Sequence, residues 1–408
     1  MRLLSTLLFF FFLLTFTFAA PINKETERYI IQLKKPEDLD ILMAQDDKVR
    51  SFAHLRNEIK KVYSIGKEFE GFIGEFSKEV IDRIRSNPLV EFLCHDFPIE
   101  ALDVSAQYDA PSHLVRLSQE GPVEDDEDST YYYSEEFQGK GVNVYVIDTG
   151  VSTKNPDFEG RAILGPNFSS DLRNIDYIGH GTHVAGIVGS KTYGVAKEVT
   201  IHSVKVLDRK GQGTLSAVIE GLEYAVNHHL DSGVPGIANL SLGAARSTIL
   251  DAAIKAAYDA GLLVVTAAGN NNMNACRTSP AGSPYAITVG SINDKNDQIA
   301  HFSNWGNCVD IFASGVEVRS LSNKQDEFQI LSGTSMSSPI VAGLAAIIAE
   351  QGYDAADIPS EIRNMAVWNA IPSSNLRMRA GTPNAIVNNA VDVSQYSVNM
   401  LSNFTLTF

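Results

Sequence analysis

The sequence predicts an α/β protein, a parallel sheet flanked by helices and preceded by a small α+β unit. Two observations carry that prediction. From about residue 140, apolar strand-like runs alternate with helical patterns, and buried runs of this kind belong to parallel sheets covered on both faces. Before them, residues 22–103 alternate short strand-like and helical segments. A third observation bounds the whole. The chain has 408 residues, 44% hydrophobic and 20% charged, which is enough apolar material for a large core plus something smaller. Its net charge of −16 argues against nucleic acid as a partner.

The first twenty residues hold Arg2, a long apolar core and the small pair Ala19–Ala20, a secretory signal pattern followed by Pro21 and a charged stretch. A retained signal anchor is the alternative. Removal is expected, which sends the chain into the secretory pathway, to an extracellular, cell-surface or vacuolar residence. No later segment is apolar for long enough to span a bilayer. Export permits disulfides, and three cysteines, Cys94, Cys276 and Cys308, leave one unpaired if the others bridge.

In the small unit, "RYIIQLK" reads as a strand and "DLDILMAQDDKVRSFAHLRNEIKKVYSI" as helix. "FEGFIGEF" is a strand, "KEVIDRIRSN" a short helix and "VEFLCHDF" a strand, giving β-α-β-α-β order. The acidic run Glu124–Asp128 reads as a solvated loop. Beyond it, "VNVYVIDTG", "VTIHSVKVL", "GIANLSLG", "GLLVVTAAGN" and "YAITVGSI" read as strands. "LSAVIEGLEYAVNHHL" and "STILDAAIKAAYDA" read as helices between them. Function in such sheets gathers beyond the carboxyl ends of the strands.

Those ends carry chemistry. The first strand ends in Asp148-Thr149-Gly150, where a carboxylate could orient a base. D-T-G is also the motif of carboxylate-dyad peptidases, but its second copy, Asp231-Ser232-Gly233, follows a helical pattern and not an apolar strand. "GHGTHVAG" holds His180 and His183 at i, i+3. A zincin helix needs i, i+4 with a glutamate between, so a metal pair is disfavoured. Glycines flank His180 at the mouth of a helix, whereas His183 lies one turn on among small apolar residues and reads as structural. "SGTSMSSPIVAGLAAIIAEQG" predicts a helix buried all round with Ser335 near its start. There the helix dipole favours negative charge, although a lone serine at a helix start is ordinarily a cap. Asn270 in "AAGN" could donate to an oxyanion or simply sit in a turn.

Taken together, "VIDTG", "GHGTHVAG", "AAGN" and "GTSMSSP" resemble the motifs of the subtilisin family of serine peptidases, in its proteinase K-like branch, in the family's own order. The resemblance implies a subtilisin-like fold and a triad of Asp148, His180 and Ser335, with Asn270 as oxyanion donor. Residues 28–98 are similar to the family's inhibitory propeptide, which implies a ferredoxin-like α+β domain acting as an intramolecular inhibitor and removed near residues 102–105. The expected organisation is a signal peptide at 1–20, propeptide at 21–104, acidic N-terminal segment at 105–139, catalytic domain at 140–389 and tail at 390–408.

By the same resemblance, substrate backbone pairs with Lys210, Gly211, Gln212 and Gly213 on one side and with Ser241, Leu242 and Gly243 on the other. The pocket for the residue before the scissile bond lies between Ser241–Gly243 and Ala267, Ala268 and Gly269. Neither wall carries Asp or Glu, so apolar or aromatic residues are expected there. Met336 beside the nucleophile implies sensitivity to peroxide. The resemblance also implies a Cys276–Cys308 bridge, loss of Cys94 with the propeptide, and a structural Ca²⁺ held by Pro284, Ala286 and Asp310, with no cofactor for catalysis. Partners are protein or peptide substrates and the chain's own propeptide, and a monomer is expected. Of the sequons at Asn167, Asn239 and Asn403, Asn239 lies in an apolar strand and should be unmodified. The rival reading is a catalytically silent or permanently propeptide-inhibited relative that acts as a binding protein.

Overall fold

Alternate residues of the strand Asn143–Asp148 face opposite cores, and the fold follows from that. Val144 and Val146 join one buried cluster, Tyr145 and Ile147 another. A strand buried on both faces needs a layer of helices on each. The computed structural model supplies both layers. It describes residues 26–35, 39, 41–42, 55–66, 69–96, 104–124, 129–325 and 327–391. The expected signal sequence, most of the acidic run, the tail beyond 391 and Asn403 lie outside these. The chain divides into two units, residues 1–101 and 102–408.

The first unit is a four-stranded antiparallel sheet of β1 (Thr26–Leu33), β2 (Ile59–Ile65), β3 (Phe69–Ser77) and β4 (Val90–His95), in the order β2-β3-β1-β4. Ile81 and Ile84 of the helix Lys78–Arg85 pack on Ile31, Leu33, Phe72 and Phe76. One expectation is corrected here. Helix was expected to run on through "IKKVYSI", but it stops at Glu58 and residues 59–65 form a strand. The order is therefore β-α-β-β-α-β. Pairing with β3 decides the matter, because Val62, Tyr63 and Ile65 suit a pleated edge and Tyr63 donates to the Ile31 carbonyl across β3 (3.0 Å). Cys94 is exposed and unpaired.

In the second unit β5 (Val104–Gln107) pairs antiparallel with β6 (Tyr131–Ser134). Short β11 (Ala244–Ala245) and β13 (Thr278–Ser279) pair with each other, and the central sheet takes β7 (Asn143–Asp148), β8 (Ala162–Asn167), β9 (Thr200–Lys205), β10 (Gly236–Leu240), β12 (Leu263–Ala267), β14 (Ala286–Asn293) with its partner β15 (Gln298–Ile299), and β16 (Ile311–Ser314). Of these sheet strands all but β15 run parallel, in the order β16-β14-β12-β10-β7-β9-β8, and short antiparallel pieces at 298–299 and 367–368 make the sheet mixed. Helices His180–Gly189 and Thr334–Glu350 cover one face; Leu215–Ser232 and Thr248–Asp259 cover the other. The winding reverses at β7, between β9 and β10, so the crevice opens at the carboxyl end where Asp148 sits. Asp231 lies in the last turn of a helix, away from any strand end. Asn239 is fully buried in β10. Among the described residues no helix is long and apolar enough to cross a membrane.

Candidate active site

Asp148 is the last residue of β7 and is wholly buried. Its Oδ1 accepts the Thr149 N–H (2.6 Å) and lies 2.7 Å from His180 Nδ1. A carboxylate in that pair accepts, so Nδ1 carries the proton and Nε2 keeps its lone pair. His180 opens the helix His180–Gly189 and remains part-exposed, at 26% of its side-chain surface. Burial alone would lower its pKa. The charge and hydrogen bond of Asp148, with the charge of Asp176, outweigh burial and raise it above 6.5.

A second carboxylate builds the seat, and the sequence reading did not single it out. Asp176 is 3% exposed. Its Oδ1 accepts from Thr149 Oγ1, Ile178 N and Gly179 N at 2.9, 3.2 and 2.8 Å. Its Oδ2 accepts from Thr182 N and Oγ1 at 2.9 and 2.6 Å. Thr149 Oγ1 in turn accepts the Gly181 N–H (2.9 Å). The Asp148 turn and the His180 helix thus meet so closely that a Cβ on Gly181 would lie 2.1 Å from the Gly150 carbonyl. Lys205, fully buried, donates to the Thr149 and Leu207 carbonyls and pairs with Asp171 at 3.2 Å. The only signal available was an Asp shortly before a helix start, a capping pattern.

His183 is buried, with Nε2 3.1 Å from the carbonyls of both Val318 and Gln329. Burial pushes its pKa down to about 4, as expected of a structural imidazole.

Ser335 is the second residue of the helix Thr334–Glu350. Its hydroxyl donates to the Ser241 carbonyl (3.2 Å), and Ser241 Oγ donates back to the Ser335 carbonyl (2.9 Å). The neighbouring serines are engaged elsewhere. Ser337 donates to the Ala313 and Ser314 carbonyls, Ser338 donates to Asn239 Oδ1, and Ser332 Oγ accepts the Glu317 N–H. Met336 is buried, 1% exposed.

Asn270 Oδ1 accepts both the N–H and the hydroxyl of Thr334, each at 2.9 Å. That fixes the amide, leaving Nδ2 beside Gly333, where an added Cβ would stand 3.3 Å from it. The preceding turn needs glycine. Gly269 has φ +100°, and a Cβ there would lie 2.5 Å from Asn304 Nδ2. Buried Asn304 ties the loop, accepting from Asn271 and Met273 N–H and donating to the Ala268 carbonyl.

Two cavities that share Leu242 and Gly243 take in these residues. One, of about 470 Å³, is lined by His180, Lys210, Gly211, Gly213, Ser241, Leu242 and Gly243. The other, of about 560 Å³, is lined by Leu242, Gly243, Ala267, Ala268, Gly269, Asn270, Arg277 and Ser335. Gln212 does not line either; it is held by its N–H on Asp208 Oδ1 (3.0 Å). Residues 210–213 and 241–243 lie outside the regular strands.

Cys276 and Cys308 form a disulfide. Ala286 begins β14 and Asp310 precedes β16. Asp310 Oδ2 accepts the Thr288 N–H (2.8 Å), and Asp310 N–H donates to the Thr288 carbonyl (2.9 Å). Burial raises its pKa, against the Thr288 hydrogen bond and the charge of Arg363. Among the described residues no three His, Cys, Asp or Glu side chains cluster as a metal site. A site made of two backbone carbonyls and one carboxylate falls outside that description.

Wholly buried Asp148 pairs with part-exposed His180 at the sheet's switch point, and the cavity that His180 lines shares Leu242 and Gly243 with the one that Ser335 and Asn270 line. Residues 139–397 match the Subtilase family and residues 28–101 match Peptidase inhibitor I9. The chain belongs to the subtilase family of serine endopeptidases and carries an I9 propeptide domain. It is 38% identical over 409 residues to subtilase-type proteinase RRT12 of Saccharomyces cerevisiae, spanning 90% of this chain and 82% of that one. To cerevisin of the same organism it is 44% identical over 294 residues, 70% of this chain and 46% of cerevisin. The crystal structure of a cold adapted subtilisin-like serine proteinase matches with TM-score 0.62 and 38% identity, covering 70% of this chain and all of that one.

Proposed function

We propose that the chain hydrolyses peptide bonds through an acyl-enzyme on Ser335. The observation that carries this reading is the 2.7 Å pair of buried Asp148 and part-exposed His180, whose cavity shares Leu242 and Gly243 with the one that Ser335 and Asn270 line. Serine hydroxyl is a poor nucleophile at neutral pH, so a base must take its proton during attack. The Ser335 hydroxyl turns from the Ser241 carbonyl to His180 Nε2. Asp148 holds the tautomer and stabilises the imidazolium. Asn270 Nδ2 and the Ser335 N–H receive the oxyanion. In subtilisin itself, losing one such donor costs about 2.7–4 kcal/mol. His180 then protonates the leaving amine, and water releases the acyl group. Ser337 and Ser338 are poor candidates because their hydroxyls already serve buried partners.

Substrate backbone lies along Gly211, Gln212 and Gly213 and along Ser241, Leu242 and Gly243. The residue before the scissile bond enters between Leu242–Gly243 and Ala267–Gly269, which favours apolar or aromatic side chains. The I9 domain, 21–104 in the proposed division, acts as inhibitor until cut near 102–105, at the edge of the paired strand Val104–Gln107. Maturation in the secretory pathway and a monomeric product complete the reading. The carbonyls of Pro284 and Ala286 with Asp310 would hold a structural Ca²⁺. The fit rests on Asp310, whose carboxylate is disfavoured by burial and would be relieved by a hard cation.

The test compares intact masses of wild type and Ser335→Ala made through a secretory pathway. A short mature form beginning near residue 103 in wild type only is the expected result. Both chains staying full length would favour a silent or permanently inhibited relative. If both are cut, an outside protease does the maturing.

A further inference from the structure

The chain carries a net charge of −16, yet its cleft carries the opposite sign. The ionisable side chains lining the two cavities are His180, Lys210 and Arg277, and no Asp or Glu lines either one. Lys210 lies in the cavity beside His180. Arg277 lies in the cavity beside Ser335, among Leu242, Gly243, Asn270 and Thr278.

The environment of Arg277 separates it from an ordinary surface arginine. It follows disulfide-bonded Cys276 in the short turn Ala275–Arg277. Its N–H donates to the Asn274 carbonyl and its own carbonyl accepts the Arg246 N–H, both at 3.2 Å, so its backbone is pinned. Its side chain is exposed and makes no ion pair or side-chain hydrogen bond among the described residues. Behind the same wall, Arg246 is neutralised by Asp251 (2.6 Å) and donates to the Cys276 and Gly282 carbonyls. The second oxygen of Asp251 accepts from Ser279 (2.8 Å), so that carboxylate is fully occupied. Arg277 thus lines the pocket with a guanidinium uncommitted among the described residues.

We infer that Arg277 is a specificity-determining residue that selects a carboxylate side chain, among charged ones, in the residue preceding the scissile bond. The inference rests on the peptidase reading of Ser335. The alanine and glycine walls still favour apolar residues. At the pocket mouth, Glu gains a charge-assisted hydrogen bond from Arg277 that Gln gains only in part, and Lys meets like charge. Closure of the substrate over the pocket removes water from the pair and strengthens it relative to an open surface contact.

The experiment uses mature enzyme, titrated for active sites, and four internally quenched peptides differing only at that residue: Phe, Gln, Glu and Lys. The readout is the Glu-to-Gln ratio of kcat/KM within each enzyme, which cancels any general effect of substitution. In wild type Glu should exceed Gln, with Lys lowest. In Arg277→Gln the ratio should fall about 5-fold, the upper range for a part-exposed pair. Raising salt from 0.05 to 1 M should shrink the wild-type ratio and leave the variant's unchanged. In Arg277→Glu, Lys should overtake Glu. A Glu-to-Gln ratio equal in wild type and Arg277→Gln, with Phe still cleaved, would overturn the inference while leaving the peptidase reading standing. Failure to cleave any of the four, Phe included, would remove both.

Discussion

Asp176 supports the proposed base through contacts different from the direct hydrogen bond of Asp148. Its two oxygens collect five donors from Thr149, Ile178, Gly179 and Thr182, so the Asp148 turn and the His180 helix share one anchor. It touches no reacting atom and is a positioning residue. Its charge also helps raise the His180 pKa. In Asp176→Asn the amide nitrogen meets N–H and O–H donors it cannot accept, so kcat should fall about 10-fold or more through misplacement of the imidazole. The pH profile of kcat/KM tests the electrostatic part. The wild-type acid limb should fall above pH 6.5, because activity needs neutral His180 and its folded pKa is raised. The Asp176→Asn limb should move to lower pH, and an unmoved limb would reduce Asp176 to a structural cap. The sequence offered Asp148, His180, Asn270 and Ser335 as the proposed site because their four motifs together resemble one family, although each alone could be a cap, a turn or a strand end. It did not offer Asp176, Asn304 and Thr334, because their importance lies in partners that only the closed fold brings within reach.

Secondary elements were read most reliably where burial is two-sided. The runs that became β7, β9, β10, β12 and β14 send apolar side chains to both faces and are buried almost throughout, the pattern of a covered parallel strand. The helix Thr334–Glu350 was legible for the same reason. The miss at residues 59–65 is the converse case. Lys60, Lys61 and Ser64 keep a helical pattern formally intact, while the edge position beside β3 decides the outcome. The proposed calcium site also belongs to this scale, since Asp310 joins the start of β16 to Thr288 of β14. A cation bound there stabilises only the folded chain. Chelation should lower the Tm of Ser335→Ala, used to avoid autolysis, by about 5 °C if the site is well saturated. Asp310→Asn should have the lower Tm from the start and ignore the chelator. Equal responses from the two proteins would remove Asp310 from any cation site.

The whole molecule is set against acid by histidines it has buried. His113, His183 and His202 are at most 4% exposed, and burial holds each pKa at about 4. Each takes a proton in the unfolded chain near pH 6.5 but not in the folded one until about 4. Between those values the unfolded state binds more protons, so stability rises with pH and is lost as pH falls through the window. At pH 5 the upper bound is about 2 kcal/mol for each histidine. Other groups act in the opposite sense. His180, raised by Asp148 and Asp176 against burial, contributes stability that is present at low pH and lost as pH rises. Asp294, Asp310 and Glu350, raised by burial, bind protons more readily in the folded chain. A single Tm curve therefore mixes signs, and a difference isolates one. His183→Gln keeps a donor for the Val318 and Gln329 carbonyls and cannot be protonated. On a Ser335→Ala background it should lose fewer degrees of Tm than its parent between pH 7 and 5, by about 4 °C. Parallel curves would mean that His183 titrates in the folded protein. The expected divergence would place the acid limit of folding alongside that of chemistry, because the proton that silences His180 arrives as the buried imidazoles begin to favour the unfolded chain.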